Sequence, residues 1–134
     1  MPFVLDASVA ASWGLADEDD PIANLALERI ANEEALVPSL WWFEMRNILI
    51  MSERRGRLTE AATDEFLADL SRFRVTIDEA PTEAAFLSFA RRHRLTVYDA
   101  SYLELAARQS IPLATLDSAL AQAARREGVA LIGD

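Results

Sequence analysis

The sequence has no cysteine and no lysine, one histidine and four glycines in 134 residues. Without cysteine there are no disulfides and no thiolate metal sites, an absence compatible with a reducing compartment. Without lysine there is neither a Walker phosphate loop nor a Schiff-base nucleophile. His93 alone cannot build a histidine-rich zinc site, and no serine is flanked by glycines in the G-x-S-x-G manner. The glycines are scattered, so none forms a phosphate cradle. No apolar run approaches the ~20 residues that cross a bilayer. The start, MPFVLDAS, lacks a basic segment and reaches an acid at its sixth residue. A soluble, cytoplasmic protein without a membrane partner is expected.

What the sequence has in quantity is carboxylate. There are 22 acidic residues against 13 basic ones, all arginine, and the net charge is −9. Such a balance repels nucleic acid at long range, so a nucleic-acid substrate requires local compensation by bound cations or grouped arginines. Arg54-Arg55-x-Arg57, Arg72 with Arg74, Arg91-Arg92 with Arg94, and Arg125-Arg126 are such groups. Each also reads as an ordinary helix end, where cations complement the dipole.

Strands and helices alternate at short spacing. Phe3–Leu5 reads as a buried strand feeding a helix over 7–13. Gly14 to Asp20 is a loop, and Asp20-Pro21 opens a helix with Ile22, Leu25, Ala26 and Ile30 on one side. Ala35–Val37 is a strand stopped by Pro38, and Ser39 is placed to cap a helix from Leu40 to about Arg55, ended by Gly56. A helix over 59–71, a strand at 75–77 and a helix from Pro81 or Thr82 to Arg92 follow. Leu95 to Val97 is ambiguous. A helix over 100–108, a strand at 113–116, a helix over 118–127 and a final strand at 129–132 complete the chain. The pattern predicts one α/β domain over residues 1–134, with a mostly parallel sheet between helical layers. Ligands of such sheets bind beyond the carboxyl ends of the strands, where Asp6 and Asp117 stand.

Asp6, Asp99 and Asp117 each precede an expected helix, and aspartate is a favoured N-cap, so each has an ordinary explanation. Glu44 lies in the apolar run LWWFEMRNILIM and shares a helical face with Trp41, Met45 and Ile48. There its charge needs a cation or hydrogen bonds, unless the side chain escapes along the helix edge beside Arg46 or Asn47. Ser8 and Thr115, two residues from Asp6 and Asp117, can orient a ligating carboxylate or serve as caps and turn formers. The run Asp17–Asp20 lacks the glycine and distal glutamate of a calcium loop and reads as a solvated loop.

Phe-Val-Leu-Asp-Ala-Ser at 3–8, Glu44 in the helix after the second strand, Val-Tyr-Asp-Ala-Ser-Tyr at 97–102 and Leu-Ala-Thr-Leu-Asp at 113–117 together resemble the PIN-domain nucleases, among them the VapC-type toxins of toxin–antitoxin pairs. The resemblance spans the chain and meets no departure at an acidic position. It implies a three-layer α/β/α PIN-like fold with a central, mostly parallel sheet. It also implies that Asp6, Glu44, Asp99 and Asp117 are catalytic and bind Mg2+, with Mn2+ as a substitute; Asp6 and Asp99 are the firmest expectations for direct contact. The implied activity is a magnesium-dependent endoribonuclease that hydrolyses RNA phosphodiesters with metal-activated water. Arg46, nearest in sequence to Glu44, is the expected RNA contact. The implied partners are a small antitoxin protein and a second copy of the chain, and Trp41-Trp42-Phe43 exceeds what one helix face can bury. The alternative is a non-catalytic PIN-like module that holds RNA or protein. A haloacid-dehalogenase-type phosphatase would need an aspartate at Ser8 and a lysine, and a receiver domain fails for the same lysine.

Overall fold

Apolar residues dominate the short segments that become strands, and the first is buried without alternation: Phe3, Val4 and Leu5 have no exposed surface. Strands buried on both faces belong to a parallel sheet covered by helices. In the computed structural model, which describes residues 1–134, they do form one. The elements are β1 (Phe3–Leu5), α1 (Ala7–Ser12), α2 (Pro21–Ile30), β2 (Ala35–Pro38), α3 (Leu40–Arg54), α4 (Glu60–Leu70), β3 (Val75–Asp78), α5 (Glu83–His93), α6 (Val97–Gln109), β4 (Leu113–Ala114) and α7 (Ser118–Arg126). The sheet order is β3-β2-β1-β4 and every pair is parallel. Seven helices flank it in an α/β/α arrangement.

Helix α6 lies against β1, β2 and β4, with α5 and α7 packed beside it, while α1 packs on α2 and α3. Seven consecutive residues of α6, Ala100 to Ala106, are buried. A helix buried all round is held rigidly by its neighbours, and this one carries two of the residues that matter below. Helix α5 is its opposite: it packs on α6 and has no fully buried residue.

Several boundaries differ from the sequence expectation. Beyond Ala114 the backbone leaves β4, because Leu116 N–H donates to Ser8 Oγ (3.3 Å) and Asp117 N–H to Thr115 Oγ1 (3.0 Å). Side chains have taken over the ladder bonds, so the strand ends two residues before 116. The segment 129–132 is not a strand but a single parallel bridge, Leu113 to Leu131, flanked by Leu113 N to Ala130 O and Ile132 N to Leu113 O. Pro38 does not stop β2; it pairs with Asp78 as its last residue. Ser39 makes no capping hydrogen bond, since its backbone is already helical (φ −58, ψ −33). Gly56 does end the α3 region, at φ +75. The run Asp17–Asp20 is a loop tied down by Arg57, which binds Asp17 and Glu18, and Asp20 caps α2 through Ile22 N–H (2.8 Å).

Candidate active site

The site is built outward from the carboxyl ends of the two adjacent strands β1 and β4. The chain turns from β1 straight into α1, and Asp6 occupies the junction with extended backbone (φ −69, ψ 145). Its carboxylate is 5% exposed and accepts from Thr115 Oγ1 (2.6 Å), Ser8 Oγ (3.0 Å) and Ser8 N (3.4 Å). Ser8 and Thr115 therefore both hold Asp6, one from its own helix and one from the end of β4. Asp117 follows Thr115 and caps α7 through Leu120 N–H (3.0 Å). For Asp6 and Asp117 the capping role and membership of the cluster coexist, because a cap occupies only part of a carboxylate's accepting capacity.

Asp99 is different from expectation. Helix α6 begins at Val97, not Ala100, and its cap is Thr96, whose Oγ1 accepts from Asp99 N–H (3.1 Å). Asp99 lies in the first turn, capped by Thr96 and not itself the cap, so capping does not explain it. Glu44 does not escape along the edge of α3. It is half-buried, and its Oε1 accepts from the hydroxyl of Tyr102 (2.6 Å). Tyr102 has no exposed surface, and its hydroxyl also accepts from Ala7 N–H, the first amide of α1 (3.4 Å).

Asp6, Glu44 and Asp99 repel one another in turn, and Asp117 reaches the group through Asp99. Burial pushes the Asp6 carboxyl above the ordinary aspartate range, against the Thr115 and Ser8 hydrogen bonds, and the charge of Glu44 adds to the push. Burial raises Glu44 as well, opposed by the Tyr102 hydrogen bond and reinforced by Asp99. Asp99 is raised by burial, then by Asp117 and Asp6. The Tyr102 phenol is pushed far up by burial and by Asp6 and Glu44, so it stays an O–H donor. None of the four acids forms an ion pair with an arginine. An all-oxygen donor set of mutually repelling carboxylates suits a hard divalent cation, which takes a few carboxylates and keeps waters. As the side chains stand, no three acids come close enough to grip one ion jointly. Asp6 and Glu44 are held by the hydroxyls of Ser8, Thr115 and Tyr102.

Tyr102 is the site residue that sequence reasoning missed. Its signal was present: it stands three residues after Asp99, the spacing that puts two side chains on one helical face. Arg46, the expected RNA contact, stacks over the Trp42 ring at 3.8 Å and donates to Trp42 O (3.2 Å). With Glu44, Leu40, Phe43, Ile50 and Tyr98 it borders an open groove of about 570 Å³. The aromatic run divides as its helical positions dictate: Trp41 is core, while Trp42 and Phe43 are 44% and 71% exposed.

Comparison with known proteins agrees with this architecture. The sequence pattern of the PIN domain matches residues 3–126. Ribonuclease VapC3 of Pyrobaculum aerophilum is 32% identical over 126 residues, covering 91% of this chain and 94% of that protein. The crystal structure of PAE2754, also from Pyrobaculum aerophilum, superposes with a TM-score of 0.70 at 27% identity, over 98% of this chain and 92% of that one. FitAcB of Neisseria gonorrhoeae superposes with a TM-score of 0.60 at 18% identity, over 98% and 96%, a likeness of fold alone.

Proposed function

The chain belongs to the PIN-domain family, and from that premise we propose that it is a magnesium-dependent endoribonuclease, the toxin of a toxin–antitoxin pair, working as one domain in the cytoplasm. One observation supports the catalytic reading: Asp6, Glu44, Asp99 and Asp117, from four separate places in the sequence, lie toward one end of a parallel sheet, linked by mutual repulsion and with no arginine to neutralise them. The ribonuclease reading is supported by 32% identity to Ribonuclease VapC3 over nearly the whole chain.

Asp6, Glu44, Asp99 and Asp117 are the residues that would hold the ion, with Asp6 and Asp99 in direct contact. When bound, magnesium or manganese supplies Lewis-acid activation of water and neutralises charge at the phosphodiester. The chain's own part is placement. Ser8 and Thr115 fix both the rotamer and the depth of Asp6. Asp99, in the first turn of α6, faces the charges of Asp117 and Asp6. Asp117 is fixed at the N-terminus of α7, where its carboxylate caps the helix through Leu120 N–H. Arg46, at the rim of the groove beside Glu44, is the cation available to an RNA phosphate.

The exposed apolar rim supports the partner reading. Phe43, Ile50 and Tyr98 present apolar surface next to Glu44, and an antitoxin or a second copy of the chain seated there would cover the acids. A basic side chain from that antitoxin would supply the neutralising charge the cluster lacks. Incubation of the protein with total RNA in magnesium, in EDTA, and with Asp99→Asn tests the activity: discrete cleavage in magnesium alone is expected. RNA binding without cleavage in any metal would favour the non-catalytic module instead. Expression alone should arrest growth and be relieved by a small neighbouring reading frame; harmless expression would remove the toxin role.

A further inference from the structure

Glu44 is the acid that most needs help to be where it is. Asp6 and Asp117 are helix N-caps and Asp99 lies in a first turn, whereas Glu44 projects from α3 between the exposed Phe43 and Asn47. A glutamate has three rotatable bonds and swings easily out to water along such a face. One side-chain contact prevents this, the hydroxyl of Tyr102, 58 residues away in sequence. The direction of that bond is determined. A carboxylate only accepts, so the phenolic proton goes to Glu44, while the Tyr102 oxygen accepts from Ala7 N–H. Ala7 directly follows Asp6, and the three-membered chain Ala7–Tyr102–Glu44 ties the glutamate to the same backbone that places Asp6. The tyrosine ring is sunk in the core of α6, which leaves the hydroxyl little room to move.

We propose that Tyr102 is the positioning residue of the acid cluster, its hydroxyl pinning Glu44 to the start of α1 so that Glu44 stays within reach of Asp6 and Asp99. This rests on the reading of Glu44 as a cation-holding acid. Partners that orient a ligand's side chain typically matter 10–100-fold in metal affinity, whereas a tyrosine serving only as core would matter for folding and leave affinity alone.

The test is a double-mutant cycle on the full chain: wild type, Tyr102→Phe, Glu44→Ala and the double variant. Manganese chloride alone is titrated against the thermal midpoint, and circular dichroism checks the fold. Removing the hydroxyl while keeping the ring should raise the manganese concentration for half-maximal stabilisation by about 10-fold. In the Glu44→Ala background the same change should move that concentration by less than about twofold, because the two residues act as one unit. Cleavage of RNA by Tyr102→Phe should show a lower kcat at unchanged KM, the mark of a displaced catalytic group as opposed to weaker substrate binding. An unchanged manganese midpoint in Tyr102→Phe overturns the proposal, and so does an equal shift in both backgrounds, which would show that the hydroxyl does not act through Glu44. If the wild type shows no manganese-dependent stabilisation at all, the reading of the four acids as a cation site falls first and takes this role with it.

Discussion

Two groups of buried or half-buried carboxylates flank helix α6, and they are handled in opposite ways. Toward its C-terminal end, Glu104 and Asp78 share one arginine. Arg108 donates to Glu104 (2.8 and 3.2 Å) and, through both terminal nitrogens, to Asp78 (2.9 and 3.2 Å). Thr82 N–H and Gln109 complete the network. Arg108 holds the Asp78 carboxyl below the usual range, and Glu104 and Asp78 hold the guanidinium charged. At the N-terminal end, Asp6, Glu44 and Asp99 have hydroxyls and amides for company but no cation, and all three are pushed up. The same residue type in the same fold is neutralised internally at one end and left wanting at the other. A protein that can build the first arrangement has left the second open, which is the physical case for a charge supplied from outside.

Breaking the internally neutralised end should have the largest effect on stability. Arg108→Met leaves Glu104 buried without its charge partner, and such losses cost about 3–5 kcal/mol. Divalent metal should not restore it, while pairing it with Glu104→Leu should recover much of the loss. Chemical denaturation of the three proteins measures this.

At the open end, metal should do what Arg108 does within the chain. Binding only the folded state, magnesium or manganese at a hundred times its Kd stabilises by about 2.7 kcal/mol. Asp6→Asn and Asp99→Asn should abolish RNA cleavage, shrink that gain, and leave the metal-free protein as stable as wild type or more so. Thermal melts with metal and with EDTA decide it; full metal stabilisation in Asp99→Asn would remove Asp99 from the site.

The pH dependence sharpens the same contrast more finely. Asp99 holds its proton more tightly folded than unfolded, so its contribution is most favourable below the unfolded value, near pH 4. It is lost as pH rises through the higher folded value. The stability of metal-free Asp99→Asn relative to wild type should therefore grow upward from about pH 4 and then level off. For Asp78 the sign reverses: its contribution is present above the unfolded value and is lost as pH falls through the depressed folded one. A flat difference across that range for Asp99→Asn would show that neither burial nor the neighbouring acids raise its carboxyl.

The smallest effect concerns the groove. Arg92 and Arg125 are committed to Glu127 and Asp134, whereas Arg46 lies on an aromatic ring. Arg46→Glu should weaken RNA binding modestly and flatten its salt dependence by about one phosphate contact. An unchanged slope would route the RNA over another arginine.

Much of this was legible in residues alone. Alternating short apolar runs and amphipathic helices dictate a covered parallel sheet, because the run Phe3–Leu5 can be satisfied only with both faces buried. The caps at Asp20 and Asp117 were legible too, since a cap depends on residues three or fewer apart. The errors fell where a competing hydroxyl, distant or nearby, took over a backbone group. Ser8 and Thr115 hydroxyls ended β4 early, and Thr96 took the cap of α6 that local propensity assigned to Asp99.

The sequence by itself determined which chemistry is possible: no thiolate, no lysine, one histidine, and acids at strand ends and on one apolar helix. Those are properties of composition and of spacing within a turn or a strand, and short-range sterics and hydrogen bonding settle them. The tertiary structure alone decided which acids are neutralised and which are not. Long-range partners depend on distances between residues tens of positions apart, the hydrogen bond of Tyr102 to Glu44 and the ion pair of Arg108 with Asp78, and only packing of the buried helix α6 against the sheet sets those distances.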